Sequence, residues 1–394
     1  MKLGVSSLLS RTLAMLFVAH AVHHSYITLI PLLFPIFRVE FNLSYTQLGI
    51  LSTSFLLTYA ALQAPASFLL RFVERKFILG FGLAWMALAT LLTGFSTSFA
   101  LLVFWQLLSG VGASTYHPMG SSLASKIFSR DGRGKAMGIH LAGGNLGTSL
   151  GPVIGGFLVA AVGWRQSLSI FVVPGLAVGL LFILFARDPL GISPADAGKM
   201  RGNILKILRN KAVIAITAAS ALTLFRFRGI TSFAPSYFTA VYGWDISQAG
   251  LMFGIMQASG FFSPLLFGYV SDRFGRKPVV ILATLSSALS IFLMTVKGDM
   301  TWTIANLVFV GFTLYSSASV LQALLADIVA PELIDLCFGI FFTFDFLIGT
   351  IAPLLLGFII DVGSFEQAFY VMAIATALSA LMVMPVRESA RRTS

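Results

Sequence analysis

The chain is 394 residues long, 57% hydrophobic and only 10% charged, with 37 Phe and 36 Gly. A soluble domain carries about 25% charged residues, so this composition excludes an ordinary globular protein and points to the membrane. The formal net charge of +11 would suit a nucleic-acid binder, but the placement of that charge excludes one.

Apolar runs recur along the whole chain, each long enough to cross a hydrocarbon core of about 30 Å as a helix. They predict twelve spans, near 12–37, 46–70, 77–96, 99–125, 136–161, 166–186, 213–240, 247–270, 278–296, 301–326, 336–360 and 366–386. The first follows Lys2 and Arg11 as a signal peptide would. Its apolar part runs on to about Phe37 with no small-residue cleavage site, so it reads as a retained span. The single Cys337 rules out an internal disulfide. If both termini share one side, that side holds every one of the 26 Lys and Arg except Arg38, Arg165, Lys297, Arg226 and Arg228. Such asymmetry places both termini in the cytoplasm. The positive charge is therefore a topology signal with some affinity for anionic headgroups, and no nucleic-acid partner is expected.

A polar interval, 187–211, carries Pro189, Gly191, Pro194 and Gly202 and divides an N-terminal half (1–186) from a C-terminal half (212–394). Sliding one half on the other by 201 residues puts Gln47 and Gly49 on Gln248 and Gly250. It also puts Arg75-Lys76 on Arg276-Lys277, Gly110 on Gly311, Pro152 on Pro353 and Gly156-Phe157 on Gly357-Phe358. Six spans per half give the repeats a common orientation, with a binding site between them near the midplane. The interiors of spans three, six, nine and twelve hold no charge or histidine, whereas spans one, four, five, seven and eleven carry His, Arg or Asp. Ionisable residues at membrane depth are costly and face a bundle interior or aqueous path. The expected fold is an all-α membrane protein of twelve transmembrane helices in two pseudo-repeated six-helix halves.

Gly268–Lys277 reads G-Y-V-S-D-R-F-G-R-K and resembles the loop signature of the major facilitator superfamily. Asp272 can meet a helix end there while Arg273 and Arg276 hold the loop as a gating lock. In the first half, S-F-L-L-R-F-V-E-R-K places Arg71 where the repeat puts Asp272, leaving Glu74 as the nearest acid. The run Gly147-x-x-x-Gly151-Pro152-x-x-Gly155-Gly156 resembles the fifth-helix signature of exporters and drug–proton antiporters. Its small residues allow close helix approach and its proline a bend, which neutral packing would also explain. Tyr116-His117-Pro118 together with Gly143-Gly144-Asn145 resembles the fosmidomycin-resistance-type exporters, over essentially the whole chain. That resemblance implies efflux of small toxic compounds, and hence drug resistance, by antiport against entering protons. One departure bears on coupling: His23-His24 stands where that group has Asn-Asp. Histidine titrates in the physiological range, so His24 either preserves proton coupling or marks its loss.

His20, His23 and His24 share one helix face, and His24 lies about 16 Å from the helix end, near the midplane. They read as proton or substrate contacts, as packing, or as imidazole ligands. No thiolate lies nearby and the acids at membrane depth sit on distant spans, so no metal site is expected. His117 and His140 fall on neighbouring antiparallel spans, as a proton relay or as packing. Arg226 is either an anion contact or the partner of Asp345, which lies about 14 Å into span eleven; Arg228, on nearly the opposite side of span seven, reads as the structural partner in such an internal pair. Asp345 can carry a proton if unpaired and stays ionised if paired.

The sequence thus predicts a secondary transporter in the plasma membrane, monomeric, exporting a small organic compound (anionic or antimicrobial) by alternating access. The proton gradient is the expected energy source and no cofactor is implied. His24, Asp345 and His117 are the proton-coupling candidates; Arg226, Tyr26, Tyr116, His20 and Asn145 are the substrate candidates. The competing readings are an uptake symporter for an organic anion, a metal transporter and a non-transporting sensor. No nucleotide loop or nucleophile–base arrangement marks an enzyme.

Overall fold

A backbone in hydrocarbon must satisfy its own hydrogen bonds, and the computed structural model does so with helices throughout. It describes residues 2–126, 130–188, 201–330 and 333–387, and no strand occurs among them. Residues 127–129, between spans four and five, and the linker residues 189–200 lie outside the described residues. There are 11 helices long and apolar enough to cross a membrane, and Tyr45–Phe68 adds a further helix of 24 residues. Together they are the twelve expected spans. Span one is Arg11–Glu40, span two Tyr45–Phe68, span three Arg75–Thr93 and span four Phe99–Ala124. Spans five and six are Ala136–Val162 and Trp164–Phe185, followed by Lys211–Tyr242, Ile246–Phe274 and Arg276–Leu293. Met300–Ile328, Cys337–Val362 and Phe365–Val383 complete the set.

The 201-residue repeat holds at atomic detail. Span two starts in a capping box, with Ser44 Oγ accepting from Gln47 N–H (3.2 Å) and Gln47 Oε1 from Ser44 N–H (2.9 Å). Span eight starts the same way, through Asp245 and Gln248. Hydrogen bonds from Ser247 and Gln248 hold the Asp245 carboxyl below its ordinary range. A Cβ on Gly110 would lie 2.4 Å from the Phe55 carbonyl, and one on Gly311 would lie 1.6 Å from that of Met256. These pairs are repeat equivalents, so the same backbone crossing joins spans two and four and spans eight and ten. Each crossing precedes an interruption, at Ser114–Thr115 in span four and Tyr315–Ser317 in span ten.

The described chain forms two units. The first takes spans one to six together with Ser232–Gly254, and the second takes the remainder. This differs from the expected division at 187–211, because small residues bind the start of span eight to span five. A Cβ on Gly250 would meet the Pro152 carbonyl at 2.4 Å, one on Gly156 the Ile246 carbonyl at 2.8 Å, and one on Gly254 the Ser149 carbonyl at 2.6 Å. The tightest seam of the first unit runs between spans one and five. Cβ atoms on Gly143, Gly147 and Gly151 would lie 2.2 Å from the Phe17 carbonyl, 1.9 Å from the Ala21 carbonyl and 2.7 Å from the Ser25 Cα. Glycines four residues apart fall on one helix face, and here they let two backbones touch.

Substituting Gly147 should therefore be severe. Gly147→Val is expected to destabilise the protein by about 3 kcal/mol, the upper end of overpacking costs. Gly138→Val, where no neighbour lies within 4 Å, should leave the unfolding temperature in detergent nearly unchanged. Equal losses at both positions would show that the seam is not what holds span five.

Candidate functional site

The chain has 5 histidines, and the seam gathers all of them. His20, His23 and His24 come from span one; Tyr116 and His117 follow the break in span four; His140 comes from span five. The His140, His20, Tyr116 and His23 rings form a stack, with successive centroids 4.2, 5.0 and 4.7 Å apart. His24 and His117 stand edge-on to it, 4.7 and 5.3 Å from His20 and 5.5 Å from each other. Tyr59 of span two closes one side, 6.1 Å from His117. Gly144 makes the stack possible: a Cβ there would lie 2.7 Å from His20 Cε1. The Gly143-Gly144 doublet thus has two uses, the first residue for the backbone seam and the second for the imidazole.

Two ring nitrogens in the cluster are fixed by acceptors. His20 Nδ1 lies 2.7 Å from the His140 carbonyl, and His24 Nδ1 lies 3.0 Å from Thr148 Oγ1. Thr148 in turn donates to the Gly144 carbonyl (2.9 Å), and Tyr116 donates to that of Leu16 (2.8 Å). His20, His23, Tyr116 and His140 are buried, while His24 and His117 are half-buried. Thr148 was not legible as a partner in advance, though it shares a helix face with Gly144. Asn145, next to that face, is half-buried and its carbonyl accepts from Ser149 (2.9 Å).

Tyr26 does not join the cluster. Its hydroxyl donates to the Phe171 carbonyl of span six (2.5 Å), in a slot that Gly175 leaves open. Tyr26 ties span one to span six.

The second unit corrects the arginine reading. Arg226 is buried and donates to Ser287 of span nine and to the Leu314 carbonyl of span ten (2.8 Å to the latter). Asp345 is hydrogen-bonded to Ser220 and lies in the field of Arg228, and its Oδ1 is buried without a hydrogen-bond partner. Two residues along a helix turn the side chain by roughly 200°, so span seven offers one arginine to spans nine and ten and the other to span eleven. Arg228 is half-buried, its guanidinium 5.9 Å from the Phe346 ring. Gln257 donates to Tyr315 (3.2 Å), whose ring meets Phe227 edge-on at 5.4 Å. The polar group of this unit is therefore Asp345, Arg228, Ser220 and the Gln257–Tyr315 pair, of which Asp345 and Arg228 were singled out from the sequence.

A family model described as Major Facilitator Superfamily matches residues 16–268 and 219–394. The chain belongs to that superfamily. It is 26% identical over 370 residues to the Fosmidomycin resistance protein of Escherichia coli (strain K12), covering 93% of this chain and 90% of that one. It is 26% identical over 377 residues to the Probable sulfoacetate transporter SauU of Cupriavidus necator, covering 88% and 86%. The solved structure of the nucleoside transporter NupG superposes with a TM-score of 0.82 at 12% identity, covering 96% of this chain and 99% of that one. That likeness shows the fold. The protein is a multi-pass membrane transporter and not an enzyme.

The superfamily loop is built as its sequence suggested only in the second half. Arg276 pairs with Asp272, reaches Asp327 (3.2 Å) and donates to Ser271 (2.8 Å). Arg273 lies 5.9 Å from the Phe274 ring. Gly275, at φ 103°, supplies a left-handed turn that side chains resist. In the first half its equivalent is Glu74, at φ −64°, so the turn itself is different. Glu74 pairs with Lys76 (3.6 Å) rather than with Arg71, whose guanidinium lies 5.4 Å from the Phe68 ring. Arg75, the counterpart of Arg276, takes its carboxylate from Asp188 just after span six. Asp188 Oδ2 accepts from the Arg75 backbone N–H (2.9 Å) and its guanidinium (3.4 Å). These side chains are 3% and 0% exposed.

Removing one member of so enclosed a pair should cost about 3–5 kcal/mol, because it strands a buried charge. Asp188→Ala is expected to lower the unfolding temperature sharply, and Arg75→Leu combined with Asp188→Leu to recover most of it. Thermal unfolding of the single and double variants in detergent measures this; additive losses would show that the two groups do not interact.

Proposed function

We propose that the protein is a proton-coupled exporter of a small organic compound, working by alternating access as a monomer in the plasma membrane with both termini cytoplasmic. The observation that carries the coupling is Asp345. It is an acid at membrane depth with one carboxylate oxygen unpartnered, beside a half-buried arginine. A carboxyl so placed changes the charge of its surroundings when it takes or loses a proton; burial favours the protonated form, while the Ser220 hydrogen bond and the charge of Arg228 favour the ionised one. The histidine cluster supplies the polar recognition surface of the first unit, with His20, Tyr116 and Asn145 as its contacts. Export is supported by the Gly-Pro-x-x-Gly-Gly seam of span five and by the likeness to the Fosmidomycin resistance protein.

A second reading is uptake of an organic anion together with protons. The likeness to a probable sulfoacetate transporter favours it, as does Arg228, a guanidinium able to bind a carboxylate or sulfonate through two hydrogen bonds.

Proteoliposomes separate the two with fosmidomycin and sulfoacetate as the test compounds. Export by antiport predicts that a proton gradient stimulates substrate flux in the direction opposite to proton flow. Stimulation in the same direction would replace export with uptake. Asp345→Asn is expected to abolish the response to the gradient while leaving exchange of substrate down its own gradient. A full response in that variant would remove Asp345 from the coupling.

A further inference from the structure

We propose that His20, His24 and His117 form a binding site for a divalent transition-metal ion of the zinc class, Zn²⁺, Co²⁺, Ni²⁺ or Cu²⁺. The site lies wholly within the first unit and stands independently of the transport direction argued above. One ring nitrogen of each residue lies within 4.8 Å of the others. Ligands of a tetrahedral zinc ion at 2.0–2.1 Å stand about 3.3 Å apart, so small side-chain rotations close the site. The three come from two spans, since His117 crosses from span four to the His20–His24 face. That crossing is why the residues of span one alone pointed away from a metal.

The hydrogen bonds around the cluster decide which nitrogens are available. A carbonyl oxygen only accepts, so His20 Nδ1 carries the proton shared with the His140 carbonyl, and Nε2 keeps its lone pair. His20 Nε2 is buried and has no hydrogen-bond partner. Thr148 spends its hydroxyl proton on the Gly144 carbonyl, so its oxygen accepts from His24 Nδ1. The same tautomer results, with Nδ1–H outward and Nε2 the unprotonated nitrogen. Orienting a metal-binding imidazole by tying its other nitrogen to a carbonyl or hydroxyl is the usual outer-shell arrangement, and two of the three ligands have it.

Donor chemistry narrows the ion. Imidazole nitrogens suit zinc, copper, nickel and cobalt, whereas calcium and magnesium require oxygen ligands. Four acids of this unit are engaged elsewhere: Glu40 with Arg165, Glu74 with Lys76, Asp188 with Arg75, and Asp245 at the start of span eight. Three neutral imidazoles leave a dication's charge uncompensated, so the fourth position calls for an anionic donor from outside the protein: hydroxide, or a carboxylate or phosphonate group of a bound compound.

The test uses tag-free full-length protein in detergent, titrated with Co²⁺ and read by visible d–d absorption, then displaced with Zn²⁺. One Co²⁺ per chain with tetrahedral-type bands is expected, and Zn²⁺ should raise the unfolding temperature by mass action. His24→Asn and His117→Asn should abolish the bands, while His23→Asn, which leaves all three ligands, should keep them. Thr148→Val retains every imidazole and releases only the outer hydrogen bond; it should weaken binding about 10–100-fold. This variant also serves if the histidine replacements fail to fold, as judged by their metal-free unfolding temperature. Absence of binding by folded wild-type protein at millimolar ion would overturn the proposal. So would undiminished binding in a folded variant lacking His20, His24 and His117.

Discussion

The contact on which the first unit depends is backbone against backbone, where span five lies on span one at Gly143, Gly147 and Gly151. In a bilayer the hydrophobic effect does not press helices together, so close packing of small residues must do so. The seam also sets the chemistry. It brings His140 and Gly144 against His20, which closes the ring stack and supplies the carbonyl that orients His20. A bulkier side chain at Gly147 would open the seam and separate the histidines together with the helices. Packing and polar site are therefore one feature, and the glycine run that resembles an exporter signature is also the support of the histidine cluster.

The two halves share a skeleton and divide the polar labour. Capping boxes, the Gly110 and Gly311 crossings and the helix breaks after them all recur at one offset. Side chains at the functional positions do not. The first unit holds every histidine, and the second holds Asp345 and Arg228 within its spans. The loops diverge in the same manner. Arg75 and Arg276 are equivalent, yet one finds its carboxylate four residues earlier in the loop and the other after span six. With Arg71 in the place of an aspartate, the first half gives Arg75 a carboxylate only by drawing the acid from further along the chain.

Much of the architecture was legible because it follows from composition and period. Span number and the repeat come from hydropathy and residue identity, and both reappear in the helices. Partner choice was not legible, because it depends on which way each helix face turns once packed. Arg226 and Arg228 differ by two positions and have identical chemistry, yet one is enclosed by Ser287 and Leu314 and the other faces Asp345. Tyr26 sits two residues from His24 but points to span six, where Gly175 leaves it a slot. His117 and His140 could be placed on neighbouring helices, but only the packed seam puts them within ring contact of His20. Asp188 carried no signal, since it belongs to a stretch whose composition reads as linker.

The distribution of charge between the units bears on what each can recognise. In the neutral form, imidazoles whose Nδ1–H bonds point outward, as in His20 and His24, present Nε2 lone pairs, and lone pairs attract cations or donor protons. They give an anionic compound nothing by themselves. An anion would be attracted to the first unit only if a cation came with it, or if an imidazole took up a proton. Arg228 can attract an anion directly, but Asp345 beside it offsets that charge unless the carboxyl is protonated. The histidine cluster of the first unit and the Asp345–Arg228 group of the second thus each carry little net charge, and a bound cation would give either one attraction for an anion. On the proposed reading, sites of this kind link an anionic substrate to a cation through Coulomb's law.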